Sequence, residues 1–153
     1  MTSPAAGVVA NRIDAYDTRA LTFSNGDVTL AGDLVYPRAG GPHPAVVLVH
    51  SSGVQSRNGP IGYFRLIANL LAANGISAIV FDKRGVGKST GTWFNATFDD
   101  LAGDVRAAIA AAREQANIDR RRLGLWGLSQ AGWIIPSVAS TDQSSGAHDA
   151  RRE

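Results

Sequence analysis

Hydrophobic positions in this chain follow two patterns, short runs typical of strands and wider spacings typical of helices. Two alternating stretches, Asp17–Phe23 and Val28–Tyr36, flank a turn signal at residues 25–27 and predict a β-hairpin. The continuous apolar runs Ala45–Val49 and Ile76–Phe81 predict strands that are buried on both faces. The first half of the chain therefore predicts four strands.

The segments that follow these strands have apolar residues at helical spacing. Phe64–Ala73 has an apolar face, and Thr97 opens a second helix with Asp100 as its capping-box partner. A further apolar run, Leu123–Trp126, precedes a helix-like segment, Gln130–Ala139. The order is a hairpin followed by β-α-β-α-β-α. It predicts an α/β fold with a mostly parallel sheet, an N-terminal antiparallel hairpin and helices on both faces.

Length and composition fit a single globular domain. The chain has 153 residues, of which 44% are hydrophobic and 18% are charged. We expect a flexible arm over residues 1–15 and a partial domain over 16–140. We expect a disordered tail over 141–153, because this segment is polar and lacks periodicity.

Charge and cysteine content exclude several classes of function. The net charge is +2, and the cluster Arg120-Arg121-Arg122 is interpreted as a solvated turn, so we expect neither nucleic acid nor membrane as a partner. Cysteine is absent, and we expect no metal and no cofactor. We find no export signal and no apolar run of membrane-spanning length, which favours a cytoplasmic location.

The most informative segment is Leu123–Gly132, which reads LGLWGLSQAG. A strand, a turn around Ser129 and then a helix form the context of a nucleophile elbow, in which a strained turn lifts a serine hydroxyl above the sheet. Small residues are needed on both sides of the serine because the strand and the helix approach closely there. Gly127 and Ala131 meet this need, although Ala131 departs from the usual second glycine.

Three motifs agree in order and spacing with one known family. They are the segments 46–53, 82–89 and 127–133, which read VVLVHSSG, DKRGVGKS and GLSQAGW. Together they resemble the N-terminal half of α/β-hydrolase fold serine hydrolases, of the esterase, acyl-hydrolase and serine-peptidase-like kind, over residues 17–140. The resemblance implies a truncated α/β-hydrolase fold and the hydrolysis of an ester, thioester or amide through an acyl-enzyme.

The resemblance also implies roles for single residues. Ser129 is the implied nucleophile, and the backbone N–H groups of Ser52 and Gln130 form the implied oxyanion hole. Ser51 replaces the first glycine of the oxyanion loop. We expect Trp133 to pack the elbow helix against the sheet. The implied supporting residues are His50, Gly53, Gly127, Gly132, Asp82 and Arg84.

The segment Gly87-Lys88-Ser89-Thr90 allows a different interpretation, because it looks like the end of a phosphate-binding loop. That motif requires glycine where Asp82 stands, and a helix that starts at the lysine. Gly91 and Trp93 disfavour such a helix. Nucleotide binding is therefore the third hypothesis, after a serine hydrolase and an inactive fragment or binding module that keeps the fold.

The acid and the base of a serine hydrolase have no clear candidates in this sequence. The family order is serine, then an acid, then histidine, yet only 24 residues follow Ser129. Asp142 and His148 lie in a polar segment, and His50 is interpreted as a brace of the oxyanion loop. A gene fragment or frameshifted product and a genuine short protein without catalytic activity are both open explanations. Either way, we expect very low activity.

Loss of the later strands would leave the strand before Ser129 at an edge of the sheet. An apolar edge strand can pair with another chain, so we expect self-association through this edge and marginal stability. The expected partners are thus a small-molecule ester, thioester or amide and a second copy of the chain.

Overall fold

A computed structural model describes residues 15–149 of the chain, with side chains described as far as Thr141. The strands are β1 (Tyr16–Asn25), β2 (Val28–Pro37), β3 (His43–Val49), β4 (Ser77–Phe81) and β5 (Ile118–Gly127). The helices are α1 (Tyr63–Ala73), α2 (Phe98–Arg113) and α3 (Ala131–Asp149), and a 3-10 turn, Pro60–Gly62, precedes α1.

The five strands form one mixed sheet in the order β1-β2-β4-β3-β5. The predicted hairpin is confirmed, since β1 and β2 pair antiparallel and close at Asn25 opposite Val28. Strand β2 also runs antiparallel to β4, whereas β3 runs parallel to both β4 and β5. The predicted α/β fold is therefore confirmed, with its parallel part made of the three strands that alternate with helices.

Helices cover both faces of the sheet, as the sequence predicts. Helix α1 packs on one face through Phe64, Ala68 and Ala72, against apolar side chains of β2, β3 and β4. Helices α2 and α3 pack on the other face, where the larger apolar cluster lies. Full burial of one large aliphatic side chain stabilises a fold by roughly 1.5–3 kcal/mol. The largest side chains buried in the sheet are Phe81, Leu30, Leu34, Leu48 and Ile79.

Helix α2 begins where the capping box predicts. The Thr97 hydroxyl accepts a hydrogen bond from the N–H of Asp100, and the Asp100 carboxylate accepts one from the N–H of Thr97. These bonds satisfy two backbone donors that the helix itself leaves unpaired.

Two boundaries differ from the prediction. Strand β5 begins at Ile118, because its pairing with β3 skips from Ile118 to Leu123 across an irregularity. The Arg120–Arg122 cluster lies in this irregular part of the strand and is exposed, so it is not a separate turn. Helix α3 continues to Asp149, so its backbone is helical over part of the segment 141–153 for which we expected a tail.

The predictions for the chain ends are only partly covered. Residues 1–14 of the expected arm and residues 150–153 of the expected tail lie outside the described residues. No helix within residues 15–149 has the length and apolar character needed to cross a membrane.

Strand β5 lies at one edge of the described sheet, as expected. Beside it, β5, α2 and α3 enclose an open groove of about 260 Å³. Its lining is mainly apolar: Ile109, Leu123, Leu125, Ile135, Val138 and Ala139, together with Arg113. The self-association expected for this edge stays a prediction. A substitution at a residue that lines the groove can test it.

We expect Ala139→Lys to weaken self-association at least about tenfold, or about 1.4 kcal/mol, because a lysine would be desolvated at the mouth of the groove. Ala110→Lys is the matched control, since Ala110 is also an exposed helical alanine but does not line the groove. Sedimentation over a range of protein concentrations measures both variants. Equal association of the two variants, or a monomeric wild type at all concentrations, would contradict the prediction.

Candidate active site

Ser129 lies at a sharp turn between a strand and a helix. Strand β5 ends at Gly127 and helix α3 begins at Ala131, so three residues make the connection. Ser129 is exposed, and its φ of 57° is in the left-handed region. A non-glycine residue held there costs on the order of 1–2 kcal/mol, so the surrounding packing must impose the conformation.

Close packing around Gly127 imposes this turn. A Cβ atom at Gly127 would lie 2.4 Å from the Cβ of Ala131 and 2.5 Å from the carbonyl oxygen of Val49. Ala131 is fully buried, whereas a Cβ at Gly132 would meet nothing within 4 Å. The small residues that the elbow requires are therefore Gly127 and Ala131, and the spacing of Gly132 is immaterial to the packing.

Trp133 does not pack against the sheet, and that expectation is wrong. Its side chain is 75% exposed. The face of α3 that meets the sheet is formed by Ala131, Ile134 and Val138, which are spaced three and four residues apart. Trp133 is one position away from this face and points outward beside the turn, as does the half-exposed Leu128.

The predicted oxyanion loop, residues 50–53, leaves the sheet beside the elbow. Strands β3 and β5 are parallel, and Val49 is paired with Gly127, so both strands end at the same edge. Ser52 is exposed, and Gly53 has a φ of 78°. Within residues 15–149, the backbone N–H groups of Ser52 and Gln130 donate no hydrogen bond. Two unused donors thus lie in the connections that follow the paired ends of β3 and β5. That of Gln130 lies at the N-terminus of α3, where the helix dipole favours negative charge.

Lys83 connects the loop and the elbow, a contact that sequence reasoning missed. Its Nζ donates hydrogen bonds to the carbonyl oxygens of Ser51 (2.9 Å) and Gly53 (3.2 Å). The same Nζ donates to Oε1 of Gln130 at 3.0 Å. The side chain is almost completely buried, and burial lowers the pKa of Lys83 below its ordinary value.

His50 is buried and tied to the backbone. Its Nε2 lies 2.6 Å from the carbonyl oxygen of Phe81, and since a carbonyl only accepts, Nε2 carries the proton. Burial lowers the pKa of His50 to about 4, with a smaller contribution from the nearby Lys83 charge. A neutral imidazole bonded in this way braces the start of the oxyanion loop against β4.

Asp82 holds the loop that resembles a phosphate-binding motif. Its carboxylate accepts hydrogen bonds from the N–H of Lys88, and from the N–H and the guanidinium of Arg57. Burial raises the pKa of Asp82, but these bonds outweigh it and hold the pKa below its ordinary value.

The same contacts count against nucleotide binding. A Cβ at Gly87 would lie 2.5 Å from the Asp82 carboxylate, and the Ser89 hydroxyl donates to the Asp82 carbonyl. The next helix begins only at Phe98, so no helix starts at Lys88. The loop closes on an internal carboxylate, and that carboxylate takes the space and the donors that a phosphate would need.

Arg84 lies behind the site in a buried ion pair. Its guanidinium makes a two-pronged contact with Asp104, at 2.7 and 2.8 Å, and Asn25 also donates to that carboxylate at 2.9 Å. This network joins the end of β4 to α2 and to the hairpin. Arg84 therefore supports the fold at a distance from the exposed serine.

No acid or base within residues 15–141 makes a hydrogen bond to Ser129. The side chains of Asp142 and His148 lie outside the described residues. Within the same described range, no group of three or more metal-binding side chains is arranged around a common point.

Comparison with known proteins matches most of the chain to one family. The family model described as "Serine aminopeptidase, S33" matches residues 40–147. The chain belongs to this α/β-hydrolase family. It is 28% identical to esterase EstD of Thermotoga maritima over 131 residues, which are 82% of this chain and 31% of the esterase.

Two further members show the same partial coverage. An uncharacterised 31.7 kDa protein from the traX-finO intergenic region of Escherichia coli is 35% identical over 66% of this chain and 34% of its own length. The crystal structure of the α/β hydrolase GrgF from Penicillium superposes with a TM-score of 0.68 at 25% identity, and covers 83% of this chain and 43% of GrgF. The chain thus spans about one third of the length of the curated relatives that it matches.

The packing around Gly127 predicts opposite effects for two glycine substitutions in this chain. We expect Gly127→Ala to lower the free energy of unfolding by about 1–3 kcal/mol, because the added methyl group overlaps Ala131 and Val49. Gly132→Ala is the matched control and should raise it by up to about 1 kcal/mol, because a helical alanine replaces glycine in open space. Urea titrations measure both. Similar effects of the two substitutions would refute the packing argument.

Burial of neutral His50 predicts acid sensitivity. The unfolded chain binds a proton below pH 6.5, whereas the folded chain binds it only below about pH 4. The free energy of unfolding should therefore fall by about 3 kcal/mol between these values, as the unfolded state takes up the proton first. Urea titrations at pH 7, 5.5 and 4.5 measure the loss. His50→Gln should remove most of it, and an unchanged pH dependence in this variant would count against the assignment.

Proposed function

We propose that this chain carries the nucleophile and oxyanion-hole half of a serine hydrolase that cleaves an ester, thioester or amide. The observation that carries the proposal is the exposed Ser129 at a φ of 57°, between β5 and α3. A strained, exposed serine in this context matches the function of an elbow that presents its hydroxyl to a substrate carbonyl. Membership of the α/β-hydrolase family supports the same reaction class.

In the proposed reaction, the Oγ of Ser129 attacks the carbonyl carbon of the substrate. The addition gives a tetrahedral intermediate that carries an oxyanion. When it collapses, the bond to the leaving group breaks, the leaving group takes up a proton, and the acyl group stays on the Oγ of Ser129. The N–H groups of Ser52 and Gln130 donate to that oxyanion. One such donor is worth about 3–4 kcal/mol of transition-state stabilisation.

The proton of Ser129 needs an acceptor, and His50 is unsuited to this role. Its Nε2–H is committed to the Phe81 carbonyl, and a group with a pKa of about 4 is a weak base at neutral pH. We infer that the general base and its acid belong to the part of the relatives that this chain does not span. On its own, the chain should then react slowly.

A fluorophosphonate probe tests the nucleophile, because an Oγ–P bond forms, fluoride leaves and the proton passes to water. We expect slow labelling that mass spectrometry locates at Ser129 and that Ser129→Ala abolishes. Ser24→Ala is the matched control, since it removes another exposed hydroxyl, on β1 at the opposite edge of the sheet from β5. Its labelling should be unchanged.

The outcomes of this experiment separate the hypotheses. Labelling that survives in Ser129→Ala would overturn the assignment of the nucleophile. Absence of labelling after prolonged exposure would favour the second candidate, an inactive α/β-hydrolase-like module. That candidate is supported by the finding that no base within residues 15–141 is hydrogen-bonded to Ser129. Labelling as fast as that of complete serine hydrolases would contradict low activity, since loss of the base costs about 10⁶ in kcat.

A further inference from the structure

We propose that Lys83 is a positioning residue that orients both donors of the oxyanion hole. The inference rests on the proposed function, because it assigns Lys83 a role toward the donors of Ser52 and Gln130. Its evidence is the set of three hydrogen bonds from one buried ammonium group to the oxyanion loop and to the elbow.

The bond to Ser51 fixes the direction of the N–H of Ser52. In a trans peptide unit, the C=O of one residue and the N–H of the next point in opposite directions. The C=O of Ser51 points at the Nζ of Lys83, so the N–H of Ser52 points away from Lys83. The bond to Gly53 fixes the next but one peptide unit in the same way, and with it the N–H of Val54.

The bond to Gln130 ties the second donor to the same ammonium group. Oε1 of Gln130 accepts from Nζ at 3.0 Å, while the backbone N–H of Gln130 remains unused. The loop and the elbow are far apart along the chain, and no hydrogen bond within the described residues joins them directly. Lys83 therefore adds a link between the loop and the elbow beyond the strand pairing of Val49 with Gly127.

The backbone of Lys83 is itself held firmly. Its N–H donates to the carbonyl of Gln55, and its carbonyl accepts from the N–H of Val86. It follows β4, the strand paired with β3, so it emerges at the edge where the loop and the elbow lie. Because the backbone of Lys83 is held at this edge, its hydrogen-bonded side chain can hold the loop and the elbow in place.

The chemistry of the ammonium group fits this role and disfavours that of a base. A protonated lysine has three donors and no lone pair, and three oxygen atoms accept from Lys83. These bonds offset part of the cost of burial, and the buried Asp104 carboxylate also favours the charged form. Lys88, the other lysine in the chain, is exposed and serves as a natural control.

The test replaces the ammonium group and then restores it. Lys83→Met removes the donors, and Lys88→Met is the control. Lys83→Cys can be alkylated with bromoethylamine in denaturant and refolded, which restores an ammonium group of nearly the original length. The chain has no other cysteine, so the modification is specific. Gln130→Leu keeps the backbone N–H but removes the acceptor of one of the three hydrogen bonds from Lys83. It replaces Lys83→Met in the test if that variant does not fold.

Two measurements apply to each folded variant well below its melting temperature. The first is the amide NMR shifts of Ser52 and Gln130, which report on the donors without any reaction. The second is the rate of Ser129 labelling. We expect Lys83→Met to move both amide resonances and to slow labelling about 10²-fold, as expected for a lost oxyanion donor. We expect aminoethylation of Lys83→Cys to restore both, Gln130→Leu to move chiefly the Gln130 resonance, and Lys88→Met to change neither.

The outcomes distinguish this inference from the proposed function. If the wild type is not labelled at Ser129, the proposed function fails, and the amide resonances alone decide whether Lys83 positions the two peptide units. Suppose instead that the wild type is labelled, and that Lys83→Met changes neither the two amide resonances nor the labelling rate. The inference then fails and the proposed function stands. Loss of labelling with unmoved resonances would also overturn it, because Lys83 would then act as a base.

Discussion

The site depends on the absence of a side chain at Gly127. Here the end of β5, the carbonyl of Val49 on β3 and the first turn of α3 approach so closely that a methyl group would overlap two of them. The chain can only leave the strand through a tight turn, and that turn places Ser129 in the left-handed region with its hydroxyl exposed. Packing within the sheet thus produces the backbone strain on which the proposed function depends, and the surrounding core supplies the energy that maintains it.

Three consecutive residues after β4 connect separate loops and helix α2 to this end of the sheet. Asp82 closes its own loop and holds Arg57, Lys83 reaches the oxyanion loop and the elbow, and Arg84 reaches α2 through Asp104. Each charge is buried and each has oriented partners, so loss of one partner would leave an uncompensated charge. Loops that would otherwise move independently are therefore linked to the end of one central strand.

Local patterns were sufficient to predict most of the fold and the centre of the site. Alternation predicted the hairpin, continuous apolar runs predicted β3 and β4, and the Thr97–Asp100 spacing predicted the start of α2. The small residues around Ser129 predicted the elbow. What failed were features set by distant contacts. The prediction placed Trp133 on the buried face of α3, from which it lies one position away. It also began β5 too late, because the irregular pairing with β3 cannot be recognised from the sequence of one strand. Lys83 looks like an ordinary loop lysine until the strand order brings three oxygen atoms around it.

The proposed reaction has two separate structural requirements. Acyl transfer by serine needs a positioned hydroxyl with oxyanion donors, and it needs a base. In the proposed reaction, the first requirement would be met at one edge of the sheet, where the paired strand ends Val49 and Gly127 lie side by side. The second needs side chains from elsewhere. In a serine protease, binding and oxyanion donors alone retain about 10³–10⁴ of rate over water, whereas loss of the base costs about 10⁶, so the two parts are separable in energy. Under the proposed function, the described residues would supply the part that has to be rigid, since amide donors act only if they are oriented before the charge develops.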